Sequence, residues 1–104
     1  MSNHSKAFDL RQFQQHMAET YGDKDRERGV AGTFMYLMEE IGELSEALRQ
    51  PGQHDLEGEF ADCLAWLTSL AHVADIDLAA ATAQKYTGIC NRCGQSPCIC
   101  KSKP

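Results

Sequence analysis

Between Phe34 and Leu48, and again between Leu56 and Ala71, apolar residues recur every three or four positions, and no segment alternates apolar and polar residues at every second position. A spacing of three and four places side chains on one face of an α-helix, whereas a strand needs a spacing of two. The chain is therefore expected to be all-α. Phe34, Leu37, Met38, Ile41, Leu44 and Leu48 make the inward stripe of a helix predicted over 33–50, with Thr33 as N-cap and Pro51-Gly52 as its stop. Leu56, Phe60, Cys63, Leu64, Leu67, Leu70 and Ala71 make the inward stripe of the next, predicted over 55–74 and capped by Asp55. An earlier helix over 5–21 carries Phe8, Leu10, Phe13, Met17 and Tyr21 and is expected to end at Gly22. The charged, glycine-framed stretch 22–32 reads as a mobile connection. A short alanine-rich helix over 78–86 follows the N-cap Asp77 and is closed by Gly88.

Four such helices predict an antiparallel, four-helix-bundle-like domain over 1–87, followed by a cysteine-rich tail over 88–104. A chain of 104 residues is too short for two separate apolar cores. At this size the stripes are only partly covered within one copy, so a homodimer or homotetramer is expected. No run of about 18 apolar residues offers a membrane span. The N-terminal sequence lacks the look of a secretory signal, which predicts a cytoplasmic protein. Fifteen acids against ten bases give a net charge of −5, the wrong sign for coating nucleic acid.

The acids are concentrated. Glu39, Glu40, Glu43, Glu46, Asp55, Glu57, Glu59 and Asp62 fall within 24 residues in which Arg49 is the only Lys or Arg. Two acid–x–x–acid pairs stand out, Glu40 with Glu43 and Glu59 with Asp62, each on one face of its helix beside the apolar stripe. The turn at Pro51-Gly52 folds the second helix back along the first and brings the pairs to similar height. Like charges at such range bind protons at raised pKa or hold a cation, and oxygen-only ligands select Mg²⁺ or Mn²⁺ before Zn²⁺. The histidines of a di-iron bundle site are missing: no Glu-x-x-His is present. The competing reading is a solvated acidic face, but such faces intersperse lysine, and none occurs between Phe34 and Leu48.

The segment FMYLMEEIGELSEALR, followed by EGEFADCLAWLTSLAHVADIDL, resembles the MazG family of all-α nucleoside triphosphate pyrophosphohydrolases over roughly residues 33–86, matching its pattern EExxE, spacer, ExxD. The resemblance implies a MazG fold in which Glu40, Glu43, Glu59 and Asp62 ligate Mg²⁺, Glu39 is a further acid of the catalytic site, and the substrate is a nucleotide cleaved between its α and β phosphates. One metal ion would make water nucleophilic and another would neutralise the leaving pyrophosphate, with Glu39 or Glu43 orienting the water. The family's phosphate-binding lysine and asparagine are matched only by Lys85, in a stretch without asparagine. Arg49, Lys24 and Arg28 are alternative phosphate donors or plain surface charges, and Trp66 either stacks on a base or packs in the core. A phosphoribosyl-ATP pyrophosphohydrolase has the same acidic helix pair. A non-enzymatic helical binding module with a zinc tail is the alternative from another class.

The tail contains Cys90, Cys93, Cys98 and Cys100 as C-x₂-C-x₄-C-x-C. The Cys-x₂-Cys-Gly turn has the shape of a zinc knuckle, while the spacer of four is far shorter than in zinc ribbons. Structural Zn²⁺, redox-active thiols and an Fe–S cluster all remain open from the spacing. Cys63, on an apolar face, reads as a core residue.

Overall fold

The computed structural model describes residues 7–102. It contains three helices and, among the described residues, no strand: α1 (Leu10–Arg49), α2 (Leu56–Val73) and α3 (Leu78–Lys85). The expected start of the first helix at residue 5 lies outside the described residues. The helix begins at Leu10, after an Asp9–Gln12 capping box in which Asp9 Oδ1 accepts from the Gln12 N–H at 2.8 Å and Gln12 Oε1 accepts from the Asp9 N–H at 2.9 Å.

The expected loop over 22–32 is not a loop. Helix continues through Gly22 and is interrupted only at Gly29, whose φ of 83° and ψ of 177° divide α1 into two arms. That conformation is essentially reserved for glycine, so a single residue makes the bend for which the sequence suggested eleven. Gly22 serves a different purpose: it is buried against α2, and a Cβ there would stand 3.2 Å from Nε2 of His72. Thr33 is likewise no N-cap. It lies inside the second arm with no exposed surface.

The other boundaries follow the sequence. Pro51-Gly52 turns the chain, with Gly52 at φ 90°. Asp55 caps α2 through the Gly58 N–H at 3.1 Å, and Asp77 caps α3 through the Ala80 N–H at 3.1 Å. α1 and α2 pack along one another, and α3 rests on α1. The junction leading into α3 is pinned by Gln14, which donates to Ile76 O at 2.7 Å and accepts from the Leu78 N–H at 2.9 Å, and by the Arg11–Asp77 ion pair at 2.6 Å.

The inward faces differ from expectation. Along the second arm of α1, Thr33, Leu37, Glu40, Leu44 and Ala47 are the buried or half-buried row. Phe34, Met38, Ile41 and Leu48, expected in the core, are 43–52% exposed. On α2 the buried residues are Thr68, Ser69 and Ala71, whereas Phe60, Leu64 and Leu67 are 44–53% exposed. The buried positions of the two helices are mostly small, Thr33, Ala47, Thr68, Ser69 and Ala71, and the larger apolar side chains lie on the flanks. The radius of gyration is 16.4 Å, against about 13 Å for a compact domain of this length. The stripes are thus only partly covered, as the chain length suggested. No single helix among the described residues is long and apolar enough to cross a membrane.

Candidate metal and nucleotide site

Glu40 sits in the middle of the row that faces α2, between Leu37 and Leu44, and Glu43 follows one turn later. From α2, half-buried Glu59 meets them. One carboxylate oxygen from each of Glu40, Glu43 and Glu59 lies within 4.8 Å of the other two. The sequence places these acids beside the apolar stripes; the fold puts Glu40 in the seam itself.

The electrostatic consequence is direct. Partial burial pushes the Glu40 carboxyl above its ordinary value, and the charges of Glu43, Asp62, Glu59 and Glu39 push it further. Cys63, half-buried beside them, has its thiol raised by desolvation first and then by Glu40, Glu59 and Asp62. The ion pairs Arg11–Asp77, Arg26–Asp75, Arg28–Asp25 and Arg49–Glu46 engage other carboxylates. Glu59 Oε1 is moreover buried without a hydrogen-bond partner. Three converging carboxylates, one with a buried oxygen left unpaired, form a donor set that suits a hard divalent cation.

Asp62 is exposed and stands outside this close triad, although its charge is felt at Glu40. It opens instead on a cavity of about 390 Å³ shared with Trp66, Tyr21, Lys24, Asp25 and Arg28. Trp66 is half-buried, stacked on Tyr36 with ring centroids 5.0 Å apart and planes at 22°. The Arg28 guanidinium lies 4.8 Å from the Trp66 ring centroid and donates to Asp25 Oδ1 at 2.8 Å. Trp66 and Asp62 therefore share one cavity wall, one turn apart on α2. Glu39 is exposed beside Glu40.

Two candidate phosphate donors lie elsewhere. Arg49, in the last turn of α1, pairs with Glu46 at 2.8 Å. Lys85, in the last turn of α3, stands 5.9 Å from the Tyr86 ring centroid. Neither lines the cavity beside Asp62, whereas Lys24 and Arg28 do. The sequence offers Lys24 and Arg28 as candidate phosphate donors on a loop, but it places Tyr21 in a core stripe and leaves Asp25 out of the site. The missed signal is the series Met17, Tyr21, Lys24, Arg28, spaced by four, three and four, which continues one helical face through Gly22.

The four tail cysteines come together as a second cluster, with one sulfur from each within 4.8 Å of the others, close enough to hold one metal ion. The N–H groups of Cys93 and Arg92 draw the Cys90 thiol down to about 6, while its sulfur neighbours, Cys98 foremost, push Cys100 up to about 11. Cys63 takes no part in this cluster.

No curated protein sequence shows significant similarity to the chain. The model of the MazG nucleotide pyrophosphohydrolase domain, by contrast, matches residues 29–94, from the break in α1 through three helical arms to Gly94 of the knuckle turn. With more than half of its length matched and the acidic helix pair assembled, the chain belongs to the MazG nucleotide pyrophosphohydrolase domain family.

Proposed function

We propose that the protein hydrolyses nucleoside and deoxynucleoside triphosphates to nucleoside monophosphate and pyrophosphate, with Mg²⁺ or Mn²⁺ held by Glu40, Glu43 and Glu59 and by Asp62 at their edge. The observation that supports this most is the convergence of three carboxylates from two helices, one with an unpaired buried oxygen. Bound there, the ion supplies the positive charge that lets a polyphosphate approach an acidic surface and that favours ionisation of water.

The chain's own groups divide the remaining work. Either exposed Glu39 or exposed Glu43 orients the attacking water toward the α-phosphorus and accepts its proton. The P–O bond to the bridging oxygen then breaks and pyrophosphate leaves. The cavity next to Asp62 takes the nucleoside, with Trp66 as an aromatic wall and Lys24 and Arg28 as cationic donors toward phosphate.

We further infer that the working form is a homo-oligomer, a dimer or tetramer. Phe34, Met38, Ile41 and Leu48 on α1 and Phe60, Leu64 and Leu67 on α2 are all exposed apolar side chains, and a second copy would cover them.

Incubation with a panel of NTPs, dNTPs, oxidised nucleotides and phosphoribosyl-ATP, with and without Mg²⁺, tests the activity. The expected products are pyrophosphate and the matching monophosphate, only when metal is present. Release of orthophosphate instead, or no release from any substrate, overturns the proposal; turnover of phosphoribosyl-ATP alone moves the protein to the narrower enzyme class.

A further inference from the structure

We propose that Cys90, Cys93, Cys98 and Cys100 form a tetrahedral thiolate site for one Zn²⁺ ion, which gives the tail its fold independently of the carboxylate centre. The geometry of the sulfurs carries the argument. Cys90 Sγ lies 3.9 Å from Cys100 Sγ, and Cys93 Sγ lies 4.0 Å from Cys98 Sγ. With zinc–sulfur bonds of about 2.3 Å, the edge of a regular ZnS₄ tetrahedron is about 3.8 Å. A disulfide, by contrast, needs sulfurs at about 2.05 Å, and all four thiols are unpaired.

The backbone is arranged for thiolates. The N–H groups of Arg92 and Cys93 point at Cys90 Sγ at 3.4 and 3.5 Å, and the Cys100 N–H points at Cys98 Sγ at 3.2 Å. Such donors offset negative charge on metal-bound sulfur and fix its direction. The turn that aims them is closed by two further bonds, from the Gly94 N–H to Cys90 O and from the Cys90 N–H to Gln95 O, both 2.9 Å. Gly94 at φ 74° permits this turn, which a side chain at that position would strain.

Chemistry selects the ion. Four soft sulfur donors in a tetrahedral frame suit zinc or iron and suit magnesium poorly. Residues 88–102 contain no helix or strand, and their isoleucines, Ile89 and Ile99, are 52% and 71% exposed. With no apolar core of its own, a segment of this length needs a cross-link, and the sulfurs are the groups positioned to supply one.

Elemental analysis of the full-length protein, purified without chelator or added metal, is the test. About one zinc per chain is expected. Glu40→Gln should retain that zinc, while a Cys90→Ser/Cys98→Ser double variant should lose it. In the wild-type protein the four tail thiols should resist a thiol reagent until a strong chelator is added, and zinc release should then leave the far-ultraviolet helical signal unchanged. Iron in place of zinc overturns the choice of ion. Loss of zinc in Glu40→Gln but not in the cysteine variant overturns the site, as does a metal-free protein whose tail thiols react at once. None of these readouts depends on pyrophosphate release, so this proposal and the proposed activity fail separately.

Discussion

Glu40 on α1 and Glu59 on α2 bring carboxylate oxygens within 4.8 Å of each other across the helix seam, where apolar side chains would ordinarily meet. A seam built this way is destabilised by its own charge until a cation arrives. Glu40→Gln removes one of the repelling charges and one of the donors together. The variant is expected to melt at a higher temperature than wild type in metal-free buffer, to lose the further rise that Mg²⁺ gives the wild type, and to release pyrophosphate at least about 100-fold more slowly. Thermal melts with and without Mg²⁺, beside a turnover assay, check all three. Undiminished turnover would show that Glu40 has been given the wrong role.

Burial of Glu40, together with the same repulsion, sets a pH dependence. The Glu40 carboxyl titrates above its unfolded value, so the folded chain binds that proton more tightly than the unfolded chain does. Metal-free protein should therefore gain stability as pH falls through the raised pKa toward the ordinary carboxylate range, and lose it as pH rises again. Protons and Mg²⁺ compete for the same oxygens, so metal affinity should move the opposite way and weaken over that interval. Melting temperatures and calorimetric Mg²⁺ titrations across mildly acidic pH would show both trends, and Glu40→Gln should flatten the first.

Trp66 is the only tryptophan in the chain and forms a wall of the cavity that Asp62 enters. Its intrinsic fluorescence should change when a non-hydrolysable triphosphate binds in the presence of a divalent ion. Trp66→Ala should raise KM by an amount corresponding to about 1–3 kcal/mol of lost stacking, with a smaller effect on kcat. Steady-state kinetics separate the two, and an unchanged KM would place the base elsewhere.

Gly29 divides α1 at a backbone conformation suited to glycine, with open space where a Cβ would project. The penalty of Gly29→Ala is thus one of backbone strain, expected at about 1–3 kcal/mol of stability. Urea denaturation with an unchanged slope would measure it. An alanine variant as stable as wild type would show that the break does not require this conformation.

The exposed side chains of α1 and α2 predict how self-association can be disrupted. Leu64→Glu places a charge beside Phe60 and Leu67 on the exposed flank of α2. Sedimentation velocity should find the wild type as a dimer or tetramer and the variant shifted to monomer, with its helical content retained. A monomeric wild type would remove the proposed assembly.

Local sequence determined the helices themselves and most of their ends. Asp55, Asp77 and Pro51-Gly52 act within a few residues of their own position, so a cap or turn can be read without knowing the rest of the chain. Periodicity also sufficed to put Glu40 with Glu43 and Glu59 with Asp62 on single faces. It failed where one residue decides between two local outcomes: Gly22 and Gly29 look alike in sequence, yet one is a close contact with His72 and the other a backbone break.

Which face turns inward was settled only by the tertiary contact. A stripe of large apolar residues signals burial against something, and the sequence does not say whether that partner is the neighbouring helix or another molecule. Here the residues that turned inward were Thr33, Leu37, Glu40 and Ala47 on the second arm of α1 and Thr68, Ser69 and Ala71 on α2. That choice carried Glu40 into the seam, left Asp62 at the edge of a cavity with Trp66, and moved Phe34, Met38 and Leu64 toward solvent. Spacing along one helix can align two acids, but bringing a third within 4.8 Å depends on how two helices are rotated against each other, and that is a property of the packed pair.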